Sequence, residues 1–425
     1  MPTVEILSQG DEVVTGQTVD TNAAWLSDRL TALGLTVVRH TAVGDRMGDI
    51  QDVVAAARTR VDVVVSTGGL GPTEDDLTTA AVASVYGVEP VFDPVAMAHI
   101  EALYARYGRP MPEVNRKQAV LPDGCIRLDN HWGTAPAFAM EDAHCVAFFL
   151  PGVPREMRSL FDAHVLPRIS ERFDLVPGRL VTLRTTGIGE SNLQERIGTY
   201  QVPGVTLSYR TRLPENHIKL RFDPDVSDTH VVEEATRVAG LIGNSVFCIE
   251  GLLPAQHPLA SPTGELEEVV VQLLVAGGHT VATAESCTGG RVAAKLTAVP
   301  GSSAAFLEAA VTYSNAAKVR LVGVEQSALD AHGAVSEPVA IQMAAGVRER
   351  AGTAFGLSTT GIAGPGGGSE DKPVGTVHIA LATPDRVHHR KLRLGGNRSR
   401  IQSLATAAVL DLLRRHLQGV LPSSP

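Results

Sequence analysis

The sequence has few cysteines, no long apolar run and no leader-like segment. Its four cysteines, Cys125, Cys145, Cys248 and Cys287, lie far apart along the 425 residues. This spacing excludes a CxxC metal site and a disulfide framework, so we expect buried, reduced thiols. No run of about eighteen apolar residues is present to span a bilayer, and no charged-then-apolar segment follows Met1. These absences predict a cytoplasmic protein without a membrane partner.

Basic residues are also in short supply. Lysine and arginine number 37 against 46 acidic residues, which gives a formal net charge of −9. A surface for nucleic acid needs clustered basic side chains, and here they are scattered along the chain. The charge therefore argues against a direct nucleic-acid partner and leaves room for a small anionic ligand that is held locally.

The order of the apolar runs indicates the fold class. Short runs rich in β-branched residues, such as VEILS (4–8), VDVVVST (61–67) and CVAFFLP (145–151), alternate with helical patterns. This alternation predicts α/β architecture, with parallel sheets that carry helices on both faces in three layers. The length also exceeds one ordinary core, so we expect more than one domain.

The pattern changes near Phe173 and again after residue 250. The first change introduces a strand, a glycine turn, a helix and a strand pair, which predicts a small α+β domain. The prolines and small residues of LLPAQHPLASPTGE indicate a linker, and the final GVLPSSP is typical of a frayed tail. The predicted segments are a three-layer domain at 1–170, the small domain at 171–250, the linker at 251–263 and a second three-layer domain at 264–418.

A glycine-rich loop follows the strand at 61–67, at the carboxyl end where parallel sheets bind ligands. Its backbone N–H groups suit an anion, but its adjacent carboxylates repel phosphate unless a cation lies between them. The loop therefore predicts a phosphate bridged by a divalent ion, Mg²⁺ or a transition metal such as Co²⁺. A glycine turn with an aspartate cap explains about half of the same residues. The predicted site comprises Gly68, Gly69, Gly71, Thr73, Asp75, Asp76 and Thr78, joined at the same rim by Asp11 and Glu12.

A second candidate site lies in ATAESCTGGRVAAKLT, which indicates a strand, a turn and a helix. Ser286 or Cys287 is a candidate nucleophile at that turn, where N–H groups of the helix start can stabilise an oxyanion. For this pair alone, a helix-capping serine beside a core cysteine is the simpler interpretation. Tyr313 and Lys318 favour catalysis, because a lysine shielded from water can take a proton from a hydroxyl.

A third glycine-rich loop, in TTGIAGPGGGSEDKPVGTV, follows another predicted strand. Thr360, Gly361 and Gly364 are candidates to bind substrate through a hydroxyl and backbone N–H groups. Arg398 is a candidate to pair with a phosphate. His332 offers a Ser-His alternative, although a loop histidine is more often structural.

Ten motifs together resemble one family. GDEVVTGQTVDTN, TGGLGPTEDDLT, NRKQAVLP, NHWGTAPAF and FLPGVPREM resemble the molybdopterin-binding-like half of the CinA (competence/damage-inducible protein A) family. TAESCTGG, VTYSNAAK, HGAVSEP, TGIAGPGGG and the GNR stretch resemble its nicotinamide-nucleotide amidase domain. The resemblance implies a metal-dependent ADP-ribose pyrophosphatase in the first half. For the second half it implies a cofactor-free hydrolysis of nicotinamide mononucleotide to nicotinate mononucleotide and ammonia.

The resemblance also implies residue roles. Ser286 matches the nucleophile, Lys318 its base and Tyr313 the partner of that lysine. The matched or accompanying substrate contacts are Thr288, Gly289, Thr360, Gly361, Gly364 and Arg398 in one site, and Gly68, Gly69, Gly71, Thr73 and Asn115 in the other. The implied metal ligands are Asp76, Asp75, Asp11 and Glu12, while Asn115 and Lys117 are candidates to position water. Many relatives carry a second arginine where this chain has Gln402, so Arg400 is a candidate replacement.

Two other functions stay open at this point. One is a nucleotide- or pterin-binding regulatory protein linked to competence, without turnover at the first site. The other is molybdenum-cofactor handling, which rests on a shared fold alone. The GIGES loop at residues 187–191 resembles the GxxG turn of KH modules, but without a basic face we interpret its domain as a spacer. The family resemblance implies a homodimer.

Overall fold

The computed structural model describes residues 1–261 and 264–421. The chain forms two compact units, one of them Met1–Gly178 and the other beginning at Arg179. Residues 262 and 263 of the predicted linker, and the last four residues of the predicted tail, lie outside the described residues. Within the described ranges, no helix combines the length and the apolar character needed to cross a membrane.

The first unit is built on a six-stranded sheet with the order β2-β1-β3-β8-β7-β6. The neighbours from β2 to β8 pair in parallel, whereas β6, β7 and β8 pair antiparallel. A further short pair joins β4 to β5. The strands are β1 (Thr3–Gln9), β2 (Thr36–Val43), β3 (Val63–Thr67), β4 (Pro90–Phe92), β5 (Val120–Pro122), β6 (Ile126–Leu128), β7 (Ala137–Glu141) and β8 (Val146–Leu150).

Helices cover both faces of this sheet, as predicted. Successive strand residues point to opposite faces, so Leu7 and Val64 pack against α3, α4 and α5, while Ile6 and Val65 pack against α2, α6 and α7. The helices are α1 (Asp11–Val14), α2 (Thr21–Ala32), α3 (Met47–Arg60), α4 (Thr78–Tyr86), α5 (Pro94–Arg106), α6 (Pro154–Leu160) and α7 (Leu166–Arg172). The three-layer prediction for this half is therefore confirmed.

The second unit contains a four-stranded antiparallel sheet, ordered β10-β11-β9-β12, with two helices on one face. Its elements are β9 (Arg179–Thr186), α8 (Glu190–Ile197), β10 (Val205–Arg212), β11 (Glu215–Phe222), α9 (Asp228–Ile242) and β12 (Val246–Glu250). Val181, Leu183, Ile218 and Leu220 alternate with polar neighbours and pack under α8 and α9. This is the small α+β fold that the sequence predicts.

The same unit contains a five-stranded sheet, ordered β14-β13-β15-β16-β17. Apolar residues of the sheet pack on one face against α12, α13 and α14, and on the other against α10, α11 and α15. The strands are β13 (Val281–Glu285), β14 (Phe306–Val311), β15 (Phe355–Gly361), β16 (Thr376–Ala382) and β17 (Val387–Arg393). The helices are α10 (Leu266–Ala276), α11 (Arg291–Thr297), α12 (Asn315–Val322), α13 (Gln326–His332), α14 (Glu337–Ala351) and α15 (Arg398–Leu417).

The prediction of parallel sheets is wrong at one end of each large sheet. Only short turns join β7 to β8 and β16 to β17, and a turn of that length returns the chain antiparallel. Parallel pairing is kept where a helix intervenes, as between β13, β14 and β15. The carboxyl ends of these three strands therefore lie side by side, and the loops that follow them meet at one edge.

Candidate active sites

Ser286 and Lys318 meet at the edge where β13 and β14 end. Lys318 Nζ lies 3.2 Å from Ser286 Oγ and donates to the carbonyl oxygen of Thr312 at 2.8 Å. The backbone N–H of Ser286 donates to Thr359 O at 2.9 Å, which ties the turn to β15. A hydroxyl and an amine are thus held within hydrogen-bonding distance by three neighbouring strands.

The Lys318 side chain is almost completely buried, with 1% of the residue exposed. Burial lowers the pKa of its ammonium group, and no carboxylate lies against the Nζ atom among the described residues. Because the charged form is disfavoured, the neutral amine needed by a general base is accessible at lower pH than for an exposed lysine. The site therefore places a hydroxyl in contact with an amine of lowered pKa, a pair that can act as nucleophile and base.

The residue before the nucleophile, Glu285, organises the whole turn, and the sequence did not point to it. Its buried carboxylate accepts from the N–H groups of Gly290, Val292 and Ala293 at 2.8–3.1 Å. It also accepts from the Thr288 hydroxyl at 2.6 Å. The one available signal was an acid at the end of the apolar run HTVATA.

This arrangement corrects the expectation that the start of α11 supplies oxyanion donors. The N–H groups there already donate to Glu285, so they are not free for a substrate. A carboxylate is the preferred partner of these groups, since it matches the positive end of the helix. The Thr288 hydroxyl is likewise engaged, between Glu285 and the Thr359 hydroxyl, 2.7 Å away. Gly289 follows with a φ of +62° and donates its N–H to Ser286 O.

Cys287 lies in the core beside the nucleophile. Burial raises the pKa of its thiol to about 12, which keeps it protonated at neutral pH. Its carbonyl oxygen accepts from Gln402 Nε2 at 2.8 Å. Gln402 thus stabilises the Ser286 turn, while the side chain of Arg400, the candidate replacement for a second arginine, is exposed.

Arg398 and Tyr313 form the open side of the site. One guanidinium nitrogen of Arg398 donates to Tyr313 Oη and the other to Gly364 O, both at 2.8 Å. Tyr313 is 61% exposed and bonds to this arginine rather than to Lys318, the partner that the family resemblance implied. The phenol and the guanidinium are therefore exposed together, and Tyr313 directly follows Thr312, whose carbonyl oxygen accepts from Lys318.

The glycine-rich loop after β15 is held from two sides. Thr360 Oγ1 donates to Ala334 O, and Lys372 Nζ donates to His332 O, both at 2.7 Å. A Cβ atom on Gly361 would lie 2.8 Å from Thr376 O, so only glycine fits there. His332 thus contributes its carbonyl group to the loop, and among the described residues its ring makes no contact with Ser286.

In the first unit, the glycine loop after β3 has a backbone that needs glycine. Gly68 and Gly69 have φ values of +105° and +66°. The Thr78 hydroxyl at the start of α4 bonds to Gly68 O and to Gln9 Oε1. A Cβ atom on Gly71 would displace the Asp76 carboxylate, which lies against this glycine. The loop is therefore fixed by contacts at both of its ends.

The acids of this unit gather on the rim beside the loop. Asp11, in the short helix α1, accepts from Asp45 N, and Asp45 accepts from Asp11 N. Partial burial raises the pKa of Asp45, and the charges of Asp11, Glu12 and Asp75 raise it further. Asp45 was missed, although GD after β2 repeats the GD after β1. In the described part of the chain no three metal-ligating side chains converge, so a cation held here would need oxygen atoms from the substrate or water.

The remaining predicted residues support the loop. Asp76 accepts from Thr73 N at 2.8 Å, and Lys117 Nζ donates to Thr73 O. Asn115 is buried, donates to Gln118 and accepts from a tyrosine hydroxyl, so its amide is used inside the protein. A cavity of about 570 Å³ opens beside these residues and includes Thr73 and Lys117 in its lining.

Comparison with known protein families matches both halves of the chain. Residues 5–171 match the family described as a probable molybdopterin binding domain. Residues 263–417 match the family described as the CinA C-terminal domain. These two matches together include both candidate sites.

Individual relatives match over nearly the full length. A putative competence-damage inducible protein of Caldanaerobacter subterraneus is 39% identical over 98% of each chain. A CinA-like protein of Anaeromyxobacter sp. is 41% identical over 98% of this chain and 100% of the relative. A crystal structure of a competence/damage inducible protein from Agrobacterium tumefaciens is 40% identical over 37% of this chain and 99% of its own, with a TM-score of 0.35. The chain therefore belongs to the CinA-like family of competence/damage-inducible proteins.

Proposed function

We propose that the second unit hydrolyses the carboxamide of nicotinamide mononucleotide. The observation that carries this proposal is the buried Lys318, whose Nζ lies 3.2 Å from Ser286 Oγ. A neutral lysine next to a serine hydroxyl is a general base beside a nucleophile. The family resemblance supplies the substrate, and the open side of the site supplies a guanidinium for its phosphate.

The reaction has two steps, acylation of Ser286 and hydrolysis of the resulting ester. The Ser286 hydroxyl gives its proton to Lys318 as Oγ attacks the amide carbon, and Lys318 returns the proton to the nitrogen, which leaves as ammonia. Water then gives a proton to Lys318 and attacks the ester, which releases the carboxylate and restores Ser286. Arg398, beside Tyr313, binds the phosphate as a bidentate donor and orients the ring over the nucleophile.

Ammonia release from nicotinamide mononucleotide tests this proposal. We expect Ser286→Ala and Lys318→Ala to lose at least about 10³-fold in kcat, since they remove the nucleophile or its base. Cys287→Ala keeps most of the activity, because its thiol is protonated and buried. Circular dichroism of each variant verifies folding. A folded wild type that releases no ammonia, or loss of activity in Cys287→Ala alone, overturns the proposal.

We further propose that the first unit cleaves the pyrophosphate of ADP-ribose with a divalent metal. The supporting observation is the pairing of Asp11 and Asp45, each of whose carboxylates accepts from the backbone N–H of the other, on the rim beside the glycine loop. When bound, the metal neutralises phosphate charge and activates water. The residues of the chain would hold that metal on the acidic rim, and the glycine loop would offer N–H groups to the phosphates.

Formation of AMP and ribose 5-phosphate from ADP-ribose tests this second activity. Asp11→Asn, Asp75→Asn and Asp76→Asn each lower the rate by about 10²-fold or more, since they remove charge or anchoring at the metal rim. Asp28→Asn, an exposed acid on α2, serves as the control and leaves the rate unchanged. EDTA abolishes the wild-type rate and added Mg²⁺ or Co²⁺ restores it. Tight binding of ADP-ribose in equilibrium dialysis without turnover favours the regulatory alternative instead.

A further inference from the structure

A separate cavity of about 380 Å³ lies in the second unit, between the small sheet and the helices of the large sheet. Its walls come from the β10–β11 hairpin and from α10, α11 and α15. This volume falls within the range of about 300–1,000 Å³ that is usual for small-molecule sites. None of Ser286, Lys318, Tyr313 or Arg398 lines it, so the cavity is distinct from the proposed amidase site.

The floor of the cavity is apolar, and its residues belong to the hydrophobic core of the second unit. Leu266, Ala407 and Leu410 line it and are buried, with exposures of 3%, 5% and 1%. Leu213 at the tip of the hairpin closes one side and is 40% exposed. A ligand body of aromatic or branched aliphatic character therefore matches this surface.

The carboxylates that line the cavity are all committed to protein cations. Glu215 and Glu265 contact Arg184 at 2.8 and 3.2 Å, and Glu267 contacts Lys295 at 2.7 Å. A cationic ligand would have to break one of these pairs. The cavity is thus unsuited to a positively charged molecule.

One basic side chain that lines the cavity pairs with no carboxylate of the described residues. The exposed Arg291, at the first residue of α11, makes no side-chain hydrogen bond and no ion pair with any residue of 1–261 or 264–421. Arg212, which is 63% exposed, reaches only one oxygen of Glu265 at 3.7 Å. The hydroxyl of Ser403 also lines the cavity without a partner in the described chain. The unpaired polar groups at the rim of the cavity are therefore hydrogen-bond donors, which can bind an anion.

We propose that this cavity is a second small-molecule site, for a ligand that carries one anionic group on an apolar ring or branched chain. The anion binds between Arg291 and Arg212, and the apolar body fills the space above Leu266 and Leu410. The site borders α11, which follows the Ser286 turn, and α15, which carries Arg398. A ligand here would contact both helices that support the amidase residues without entering their site.

Equilibrium dialysis of the full chain against phenyl phosphate and benzoate tests the proposal, with inorganic phosphate as the probe that lacks an apolar body. All proteins carry Arg398→Ala, so that phosphate binding at the amidase site is suppressed. In this background we expect Arg291→Ala to weaken binding at least tenfold, and Ala294→Trp, which fills the cavity from an exposed position, to remove one bound probe per chain. The matched control Arg390→Ala, an exposed arginine on β17, binds as the parent does.

The relative affinities of the three probes and of the variants distinguish the ligand classes and test whether the cavity binds at all. Tighter binding of phenyl phosphate identifies a phosphate ester as the ligand class, and tighter binding of benzoate identifies a carboxylate. Equal uptake by the parent, Arg291→Ala and Ala294→Trp overturns the proposal, as does inorganic phosphate that binds as tightly as both aromatic probes. Ammonia release is not measured, so the result is independent of the proposed amidase activity.

Discussion

At the scale of single residues, Glu285 connects folding to the proposed chemistry. Its carboxylate lies at the end of β13, and three backbone N–H groups and one hydroxyl donate to it. A buried carboxylate that accepts from this many donors orders the chain around it. The position of Ser286 Oγ relative to Lys318 therefore depends on a neighbour that need not touch the substrate.

We predict that Glu285→Gln destabilises the protein by about 2–4 kcal/mol, because the amide group presents N–H donors to backbone N–H donors. The kcat for ammonia release falls by about tenfold or more, since the Ser286 turn loses its anchor. Urea denaturation followed by circular dichroism and the amidase assay measure the two effects.

The matched control for this prediction is Glu308→Gln. Glu308 lies on the adjacent strand β14, is only partly buried and pairs with Arg350 at 2.7 Å. Loss of a pair at the surface costs about 0–1 kcal/mol. Glu285→Gln with stability and kcat equal to those of Glu308→Gln would show that the turn is held by other contacts.

The sequence predicts a contact well when the residue types and their motifs indicate the chemistry. It predicts poorly when the contact depends on how distant parts of the chain pack together. Ser286 and Lys318 could be paired from their motifs, because a serine after a strand and a lysine at a strand-to-helix junction fall at one sheet edge. The partner of Tyr313 could not be predicted, since Arg398 reaches it from a distant part of the chain. Glu285 was missed because an acid in a buried strand has no periodic signal of its own.

At the scale of secondary-structure elements, the β16–β17 hairpin contains a pair of stacked histidines. His378 Nδ1 lies 2.9 Å from His389 Nε2, and the ring centroids are 5.1 Å apart. Burial lowers the pKa of His378 to about 4, with contributions from His389 and from nearby cations that include Lys391. Burial also lowers the pKa of His389, although Glu337 lies 3.6 Å from its Nδ1.

We predict that the second unit loses stability as pH falls from about 6.5 towards 4. Above that window His378 is neutral in both states, whereas within it the unfolded chain binds a proton that the folded chain excludes. For His378 the loss is about 2 kcal/mol at pH 5. Urea denaturation at pH 7.5, 6 and 5 measures it, and His378→Asn shows a smaller loss than the wild type.

An exposed histidine provides the comparison for this experiment. His230 lies on α9 with 43% of its side chain exposed, so His230→Asn keeps the wild-type dependence on pH. If His378→Asn and His230→Asn lose the same free energy of unfolding between pH 7.5 and 5, the hairpin is not the source of the effect.

At the scale of the whole molecule, each of the two compact units has cores of its own. Those of the first unit are formed by residues from Val4 to Ile169, and those of the second by residues from Val181 to Leu413. A unit that buries its own apolar surface has the main requirement for folding alone. The two proposed activities are therefore physically separable.

We predict that the fragment Met1–Gly178 folds cooperatively. If the full chain has the proposed ADP-ribose activity, the fragment keeps it within about threefold, because the acidic rim and the glycine loop are internal to this unit. A single urea transition by circular dichroism and the rate of AMP formation measure this. A fragment without ordered helix and strand signal contradicts the prediction.

The fold class could be predicted because alternating apolar runs and helical patterns determine which layers form. The antiparallel pairing of β7 with β8 and of β16 with β17 could not, since it depends on turns of a few residues rather than on strand composition. The small α+β domain was recognised from its pattern. That the small α+β domain lines a cavity together with α10, α11 and α15 could be seen only in the tertiary structure.

The helix α15 has a mechanical consequence for the second unit. It runs for 20 residues from Arg398 to Leu417, a length of about 30 Å. Arg398 lies beside Tyr313 at its start, and Arg414 near its end donates to Asn244 O at 2.7 Å. Because a helix is stiff along its axis, a shift of Arg398 would also move the end of α15 that contacts Asn244, in the turn before β12. One rigid helix therefore joins Arg398, at the proposed amidase site, to the small α+β domain of the same unit.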